Sequence, residues 1–452
     1  MRVMQERLAR PANAGRVSGI RFPMEAALLM TDHAFSRDTF LKRAGIGAAA
    51  LAAGFPAFVP SRGDAAEALK IGLVEEVTGT YAAFARSEVR GATMAVDVWN
   101  KRGGVMGRPV QLLVEDNQNN PGVAVEKARK LVNQDRVVAL AGTINSSAAL
   151  SISAAAAAMN VPFIDSGSHA DQISGAQCHW NTFQTCHATW MQTHATGYSI
   201  AKKFGKKWYL VAPDYAFGHA IAAGYQDVLK AVGGEVVGYD LTPLGTSDFS
   251  TYLTKIEGAK PDCIIAIVNG NDLVNFLKQA SSFGLLKKFP VAGPQIDLET
   301  AWALPEEARV GFWGVEWYYR GDLVFSKGNK TAADFVSMYT KTHQEPPTAH
   351  SAFAHVAVDR LLWAINEAKT TDAVKVSKTL SGAKFSGLWD GTSEYRAVDH
   401  QLMWPMWFGE LRKAGPGGSA HDLLDIVDRQ PPEKIAQSSA VQAGICKLNY
   451  PS

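Results

Sequence analysis

The sequence lacks most patterns that mark metal sites or nucleotide-dependent enzymes. Its 452 residues include only four cysteines, and neither a Cys-x-x-Cys nor a His-x-x-x-His spacing occurs. Such spacings are typical of metal sites, so nothing in the sequence supports one. Three enzyme motifs are missing as well: a Gly-x-Gly-x-x-Gly after a predicted strand, a Walker loop and a Gly-x-Ser-x-Gly. The fingerprints of dinucleotide-binding, phosphate-binding and serine-nucleophile enzymes are therefore absent. We expect that the protein binds no cofactor and is not an enzyme.

A large excess of charge of one sign is also missing. There are 45 Lys and Arg residues against 43 Asp and Glu residues, and the clustered basic residues lie near the N-terminus. We therefore expect no cationic face and no nucleic-acid partner. Hydrophobic content of 47% with 19% charged residues is typical of a folded globular protein. The length predicts two or more lobes.

Long apolar runs are rare. One uncharged run, Ala44 to Val59, follows two basic residues near the N-terminus and is shorter than a membrane span. Together with the cleavage-site pattern Ala66-Glu67-Ala68, in which small residues flank Glu67, this run predicts an export signal cleaved near Ala66 to Ala68 and a periplasmic location. The segment Ser36 to Lys42 resembles a twin-arginine export box, but Asp38 replaces the second arginine. The general secretory route therefore stays open as an alternative.

The stretch from Val137 to His169 has the pattern of a strand, a helix and a second strand. A crossover of this length makes the two strands parallel neighbours. The loops Gly142 to Ser147 and Ser166 to His169 should then lie at the same edge of the sheet, where open parallel sheets bind ligands. Each loop leads into a helix, so unpaired NH groups and small polar side chains suit a carboxylate there. The alternative is that these residues are only helix caps and turn formers.

Strands and helices alternate along most of the remaining chain. The first series begins at Leu69, and a second series of the same kind begins after Cys186. Strict alternation predicts parallel sheets with helices on both faces. We therefore predict an α/β fold with two consecutive lobes whose loop edges face each other across a cleft.

Several short motifs occur in the order found in one protein family. They are Thr78-Gly79, the turn Asn100 to Arg108 (NKRGGVMGR), Asp116 with Pro121, Asn145-Ser146-Ser147, Asp214 to Gly218 (DYAFG) and Arg396 to Gln401 (RAVDHQ). In these motifs the chain resembles the extracytoplasmic solute-binding proteins of ABC importers, of the leucine/isoleucine/valine-binding (type I periplasmic binding protein) family. Each motif alone is weak, and the resemblance covers nearly all of the chain after the signal.

The resemblance implies an architecture and a function. It implies two Rossmann-like lobes joined by three hinge crossovers, which close around a small-molecule ligand. Residues 1–68 would be the signal and an N-terminal extension. Lobe 1 would comprise 69–188 plus 317–393, and lobe 2 would comprise 189–316 plus 394–452. A monomer that delivers its ligand to an ABC transporter permease in the inner membrane is expected.

The resemblance also implies which side chains contact the ligand. From lobe 1 they are Tyr81, Asn145, Ser146, Ser168 and His169, and from lobe 2 they are Tyr215, Phe217, Asn269, Gln295 and Asp297. Amino-acid binders of the family place an acidic residue after the Gly-Pro of the last loop, where this chain has Gln295. An ammonium without a charge partner costs on the order of several kcal/mol. We therefore expect a small carboxylate, an aromatic acid or an amide, although Asp297 offers a substitute partner for an ammonium.

Cys178 and Cys186 flank a short polar and aromatic loop, and a local disulfide between them is predicted. Cys263 lies inside an apolar run and is expected to be a buried thiol. Cys446 has no assignment.

Two other functions remain open. A ligand-sensing protein that acts on a receptor or kinase would use the same closure. An α/β hydrolytic enzyme would need Ser146 and His169 to meet, but no acidic residue that could orient the histidine is evident.

Overall fold

The computed structural model describes residues 67 to 451. The predicted export signal lies outside the described residues. Of the helices in residues 67 to 451, none is long and apolar enough to cross a membrane.

The first sheet has five parallel strands in the order β2-β1-β3-β4-β5. They are β1 (Leu69–Glu75), β2 (Val110–Asp116), β3 (Ala139–Ala141), β4 (Phe163–Asp165) and β5 (Thr182–Gln184). The connecting helices are α1 (Ala82–Lys101), α2 (Pro121–Asn133) and α3 (Ser146–Ala158). The predicted unit from Val137 to His169 is β3, α3 and β4, and Leu140 pairs with Phe163 in parallel register. This prediction is confirmed.

The second sheet has seven strands in the order β15-β14-β10-β9-β8-β6-β7. They are β6 (Lys207–Pro213), β7 (Glu235–Thr242), β8 (Cys263–Ala266), β9 (Val291–Gly293), β10 (Phe312–Val315), β14 (Met406–Leu411) and β15 (Leu424–Gln430). Its helices are α4 (Thr189–Phe204), α5 (Ala216–Val232), α6 (Ser250–Ala259), α7 (Gly270–Ser282) and α8 (Leu298–Ala303). β14 and β15 are antiparallel to their neighbours. The α/β fold with parallel sheets is confirmed, and the returning chain adds this antiparallel edge.

The chain visits the first sheet again after β10. The returning elements are α9 (Gly321–Val324), α10 (Lys330–His343), α11 (Ala349–Ala368) and α12 (Ala373–Leu380), followed by a small sheet of β11 (Lys384–Ser386), β12 (Thr392–Tyr395) and β13 (Leu402–Met403). α11 packs along α1. A side chain at Gly91 would place its Cβ 2.1 Å from the Ser351 carbonyl oxygen, so this close approach requires glycine.

We call the elements around the first sheet lobe 1 and those around the second sheet lobe 2. The chain passes between them at residues 185–188, 316–320 and 404–405, which are the crossovers that the resemblance implies. The lobe boundaries given above stay a prediction.

The start of α2 shows how the sequence fixes a helix end. The Asn120 side chain accepts hydrogen bonds from the NH groups of Gly122 at 2.8 Å and Val123 at 3.2 Å. Pro121 occupies the first helical position, where no NH partner is needed. Local capping of this kind explains why this helix start is predictable from the sequence.

The predicted disulfide is wrong. Cys178 is bonded to Cys446, with their Cα atoms 5.7 Å apart, and Cys186 is a buried free thiol. The segment between Cys178 and Cys186 contains the strand β5, whose extended backbone separates the two cysteines instead of turning them together. Cys263 is buried and free, as predicted.

The C-terminal tail links the two lobes. α13 (Pro432–Ile435) packs on α4 of lobe 2, and Ile435 is buried there. α14 (Ser439–Ile445) follows, and the disulfide then fixes the tail to lobe 1. Beyond it, Tyr450 packs against Trp180 with ring centroids 5.7 Å apart.

Candidate functional site

Asn145 precedes α3 and caps it. Its side-chain oxygen accepts from the NH groups of Ser147 at 2.9 Å and Ala148 at 3.1 Å, and its amide nitrogen donates to Asn119 Oδ1 at 2.7 Å. Both polar ends of this buried side chain are therefore used within lobe 1. The structure shows the capping role, and a contact with ligand stays a prediction.

Ser146 and Ser168 join the two loops at this edge of the sheet. Ser146 Oγ accepts from the NH of Ala170 at 3.2 Å, and Ser168 Oγ donates to the carbonyl of Thr143 at 2.7 Å. Both serines are buried. The structure thus brings the two predicted loops together, and these hydroxyls hold one loop against the other.

The carboxylate that meets the first of these loops belongs to Glu76, which follows β1. Its Oε1 accepts from Thr143 Oγ1 at 2.6 Å, Asn117 Nδ2 at 2.9 Å and the NH of Asn145 at 3.1 Å. Its Oε2 accepts from the NH of Ile144 at 2.9 Å. Two NH groups of the first predicted loop, those of Ile144 and Asn145, are therefore occupied by a side chain of this protein.

Tyr81 and Tyr215 meet across the cleft between the lobes. Their hydroxyl oxygens lie 2.8 Å apart, with Tyr81 at the start of α1 in lobe 1 and Tyr215 before α5 in lobe 2. Burial raises the pKa of both phenols above the ordinary value, which keeps them neutral hydrogen-bonding groups. Nearby, the NH of Asn271 donates to the carbonyl of Thr80 at 3.3 Å. The two lobes are in direct contact.

Aromatic rings line the same region. The centroids of Phe217 and His169 are 5.9 Å apart, and Phe217 lies 6.0 Å from Tyr215. Phe353 of α11 meets the His169 ring edge-on at 6.4 Å. Phe217 is therefore buried against the cleft residues and offers apolar surface there.

His169 points from lobe 1 toward lobe 2. Its Nδ1 donates to the carbonyl of His187 at 2.9 Å, and its Nε2 lies 3.6 Å from Glu316 Oε2. Glu316 directly follows β10 of lobe 2. No hydrogen bond joins His169 to Ser146, both of which are described, so the arrangement that a serine hydrolase needs is not formed.

His350 of α11 lies between two carboxylates. Its Nδ1 donates to Glu88 Oε1 at 2.7 Å, and its Nε2 is 3.5 Å from Asp297 Oδ1 of lobe 2. Burial disfavours the charged imidazole, but the nearby carboxylates outweigh it and raise the pKa of His350 well above its usual value. Burial likewise opposes ionisation of Asp297, yet His350 holds the pKa of this carboxyl below its usual value. The charge of Asp297 is therefore already matched from lobe 1.

Amides continue this network within lobe 2. Gln295 Nε2 donates to Asp297 Oδ2 at 3.3 Å, and Gln192 of α4 donates to Gln295 Oε1. Asn269 caps α7 and accepts from the NH of Gly270 at 2.9 Å. Gln295, Asp297 and Asn269 are all buried at the cleft side of lobe 2.

His187 lies where the three crossovers meet. It belongs to the first crossover, and its Nδ1 contacts Glu316 Oε1 of the second crossover at 2.7 Å. Its Nε2 contacts the carbonyl of Trp404 of the third crossover at 3.2 Å, and its ring stacks on the Trp404 indole with centroids 4.1 Å apart. Burial opposes ionisation of Glu316, but His169 and His187 lower the pKa of this carboxyl.

Four buried polar atoms along this network have no hydrogen-bond partner. They are His169 Nε2, Gln192 Oε1, Glu316 Oε2 and His350 Nε2. Buried polar atoms are usually satisfied, so each of these atoms has hydrogen-bonding capacity that the chain itself does not use. Within the described part of the chain, no cluster of His, Cys, Asp and Glu side chains has an arrangement that could hold a metal ion.

The sequence predictions place ten residues at this site, and nine of them are buried; Tyr215 is half-buried. They missed Glu76, His187, Gln192, Glu316 and His350. Glu76 carried a signal, because a charged residue directly after a buried strand lies at the binding edge of the sheet. The other four lie in helices or crossovers, and no local pattern distinguishes them.

Comparison with known proteins shows relatives of this chain among binding proteins. Leu/Ile/Val-binding protein homolog 7 of Brucella suis biovar 1 (strain 1330) is 27% identical over 332 residues, covering 69% of this chain and 80% of the relative. A periplasmic binding protein from Burkholderia mallei superposes with a TM-score of 0.77 at 27% identity, covering 84% of this chain and 98% of the other.

A solute-binding protein of an ABC transporter from R. palustris, solved in complex with benzoate, has a TM-score of 0.71 at 25% identity, covering 81% of this chain and 97% of the other. The family model described as periplasmic binding protein matches residues 68–416. The chain therefore belongs to the periplasmic binding protein family.

Proposed function

We propose that this protein captures a small ligand between its two lobes outside the cytoplasm and delivers it to the permease of an ABC importer. The observation that carries the proposal is the network across the cleft, in which His169 and His350 of lobe 1 face Glu316 of the second crossover and Asp297 of lobe 2. Unpartnered polar atoms within that network provide hydrogen-bonding capacity for a bound molecule.

The ligand we propose is a small carboxylate, an aromatic acid or an amide. Asp297, the substitute partner for an ammonium, is engaged by His350 and Gln295, which supports a ligand without an α-ammonium. Phe217 and Phe353 beside His169 support an aromatic or apolar portion. The relative solved with benzoate supports the same class, whereas the names of the Brucella relatives favour leucine, isoleucine or valine.

A thermal-shift screen of the exported protein tests this proposal. The library contains branched-chain amino acids, aromatic acids, short carboxylates and their amides. A ligand at tenfold its dissociation constant should stabilise the protein by about 1.4 kcal/mol. Stabilisation by an aromatic acid or an amide, and none by leucine, is the expected result. Stabilisation by leucine alone would keep the transport role but contradict the ligand class.

Delivery to a permease needs a separate measurement. Deletion of the gene should abolish uptake of the radiolabelled ligand found in the screen, and a plasmid copy should restore it. Unchanged uptake together with loss of a transcriptional response to the ligand would contradict transport and favour the sensing alternative.

A further inference from the structure

We infer that Glu76 determines the ligand specificity of the cleft. Its carboxylate fills the position at the NH groups of Ile144 and Asn145, so the ligand presents hydrogen-bond donors there, as an amide does, and these NH groups hold no ligand carboxylate. This inference rests on the proposed function and narrows its ligand class.

The hydrogen bonds of Glu76 define the occupied position. The NH groups of Ile144 and Asn145 can only donate, and they approach different oxygens of Glu76 at 2.9 and 3.1 Å. Asn117 and Thr143 complete the set on Oε1. A carboxylate that accepts four hydrogen bonds has the environment that a bound anion would have. Since each donor is already used, a second carboxylate would find no donor here.

Glu76 is also held in place by its surroundings. The side chain is fully buried, and its neighbour Glu75 is fully buried as well. At Gly142, before the donor loop, a Cβ would lie 2.3 Å from the Val74 carbonyl oxygen, so the loop approaches β1 more closely than other residues permit. A ligand carboxylate beside Glu76 would therefore meet a second carboxyl group that already fills the position.

Of the four unpartnered polar atoms of the cleft, two are Nε2 atoms of His169 and His350, and the other two call for donors. Gln192 Oε1 and Glu316 Oε2 are acceptors without a partner. Arg396 is the single Lys or Arg that is buried among residues 67–451, and it is bound to Asp399. No buried Lys or Arg of the described chain is thus free to neutralise a ligand carboxylate. A molecule with NH groups satisfies the two acceptors directly.

Chemical rescue tests the occupied position. The Glu76→Ala variant removes the atoms that acetate can replace, with the methyl carbon in place of Cγ and the carboxylate in place of Cδ and its oxygens. We expect sodium acetate to raise the melting temperature of Glu76→Ala in a saturable manner, and equal sodium chloride to have no such effect. Glu75→Ala is the matched control, since neither oxygen of Glu75 has a hydrogen-bond partner. Absence of a specific acetate effect, or an equal effect on Glu75→Ala, would overturn the inference.

Matched acid and amide pairs test the ligand class in the unaltered protein. This measurement tests the inference even if Glu76→Ala does not fold. The pairs are benzoate with benzamide and isovalerate with isovaleramide, measured by calorimetry. We expect the amide of a pair to bind at least tenfold more tightly than the acid, and the Glu76→Ala variant to reduce or reverse that ratio.

Tighter binding of the acid to the unaltered protein would overturn the inference while the proposed function stands. If neither pair nor any other compound of the screen binds, the proposed function fails, and the acetate result alone decides whether Glu76 occupies an anion position.

Discussion

Nδ1 of His187 lies 2.7 Å from Oε1 of Glu316, and this contact joins two of the three segments that connect the lobes. The NH of His187 donates to the same oxygen at 3.1 Å. Both side chains are buried, so each would be left without its partner if the other were removed.

We predict that Glu316→Gln destabilises the protein markedly. Removing one partner of a buried ion pair typically costs roughly 3–5 kcal/mol, and we expect the lower end because glutamine keeps one acceptor. The measurement is urea denaturation. Glu410→Gln is the control, since Glu410 is 46% exposed in its pair with Lys203 and such surface pairs contribute about 1 kcal/mol or less. Equal losses in both variants would contradict a special role for Glu316.

The environment of His350 predicts a pH dependence. Its pKa is raised in the folded protein, so its stabilising contribution is fully present below its unfolded pKa of about 6.5 and is lost as pH rises through the folded pKa. The stability difference between the wild type and His350→Gln should therefore be largest below pH of about 6.5 and shrink in alkaline solution.

Chemical denaturation across a pH series measures this difference. His219→Gln serves as the control, because His219 pairs with Asp214 at the surface with 51% of its side chain exposed. A difference for His350→Gln that stays constant with pH would refute the assignment. At acid pH the wild type should also weaken, because the lowered pKa values of Asp297 and Glu316 mean that their contribution is lost as they become protonated.

Glu75 should show a pH dependence opposite to that of Asp297 and Glu316 and in the same direction as that of His350. Burial, with the nearby Glu88 and Glu76 carboxylates, raises the pKa of Glu75 well above its usual value. The folded protein then keeps a proton that the unfolded chain loses, so stability falls as pH rises, by up to about 1.4 kcal/mol per pH unit. Glu75→Gln removes this dependence. We expect it to match the wild type near pH 5 and to be more stable near pH 8, and a variant that is less stable at both would argue against a protonated Glu75.

The disulfide between Cys178 and Cys446 predicts that a reductant destabilises the protein. Cross-links of this kind typically contribute roughly 2–4 kcal/mol, so a reductant should lower the melting temperature of the wild type. Cys178→Ser and Cys446→Ser should both show the lowered value and no further response, whereas Cys263→Ala should respond as the wild type does. A Cys446→Ser variant that keeps the full response would show that Cys178 has another partner.

The predictable parts of this protein depend on neighbours in the sequence. The pattern of β3, α3 and β4 is local, and so is the Asn120-Pro121 helix start, and the structure has both. The pairing of Cys178 spans 268 residues, and a choice based on the shortest loop was wrong. Contacts such as these depend on the completed fold and leave no local pattern.

The same distinction applies to the site. The two loops of lobe 1 were predicted because parallel strands bring their carboxyl ends to one edge. The Glu76 carboxylate that accepts from the NH of Ile144 was not predicted, since the two residues lie 68 positions apart. His187 and Glu316 are separated by 129 positions, and only the meeting of the crossovers brings them together.

The C-terminal tail sets a maximum to the distance between the lobes. Ile435 is embedded in lobe 2 and Cys446 is covalently attached to lobe 1, so residues 436–445 act as a tether of fixed contour length. Most of that tether is the helix α14, which spans about 1.5 Å per residue, against roughly 3.3 Å per residue when extended. Wide separation of the lobes therefore requires α14 to unwind, and reduction of the disulfide would release the limit altogether.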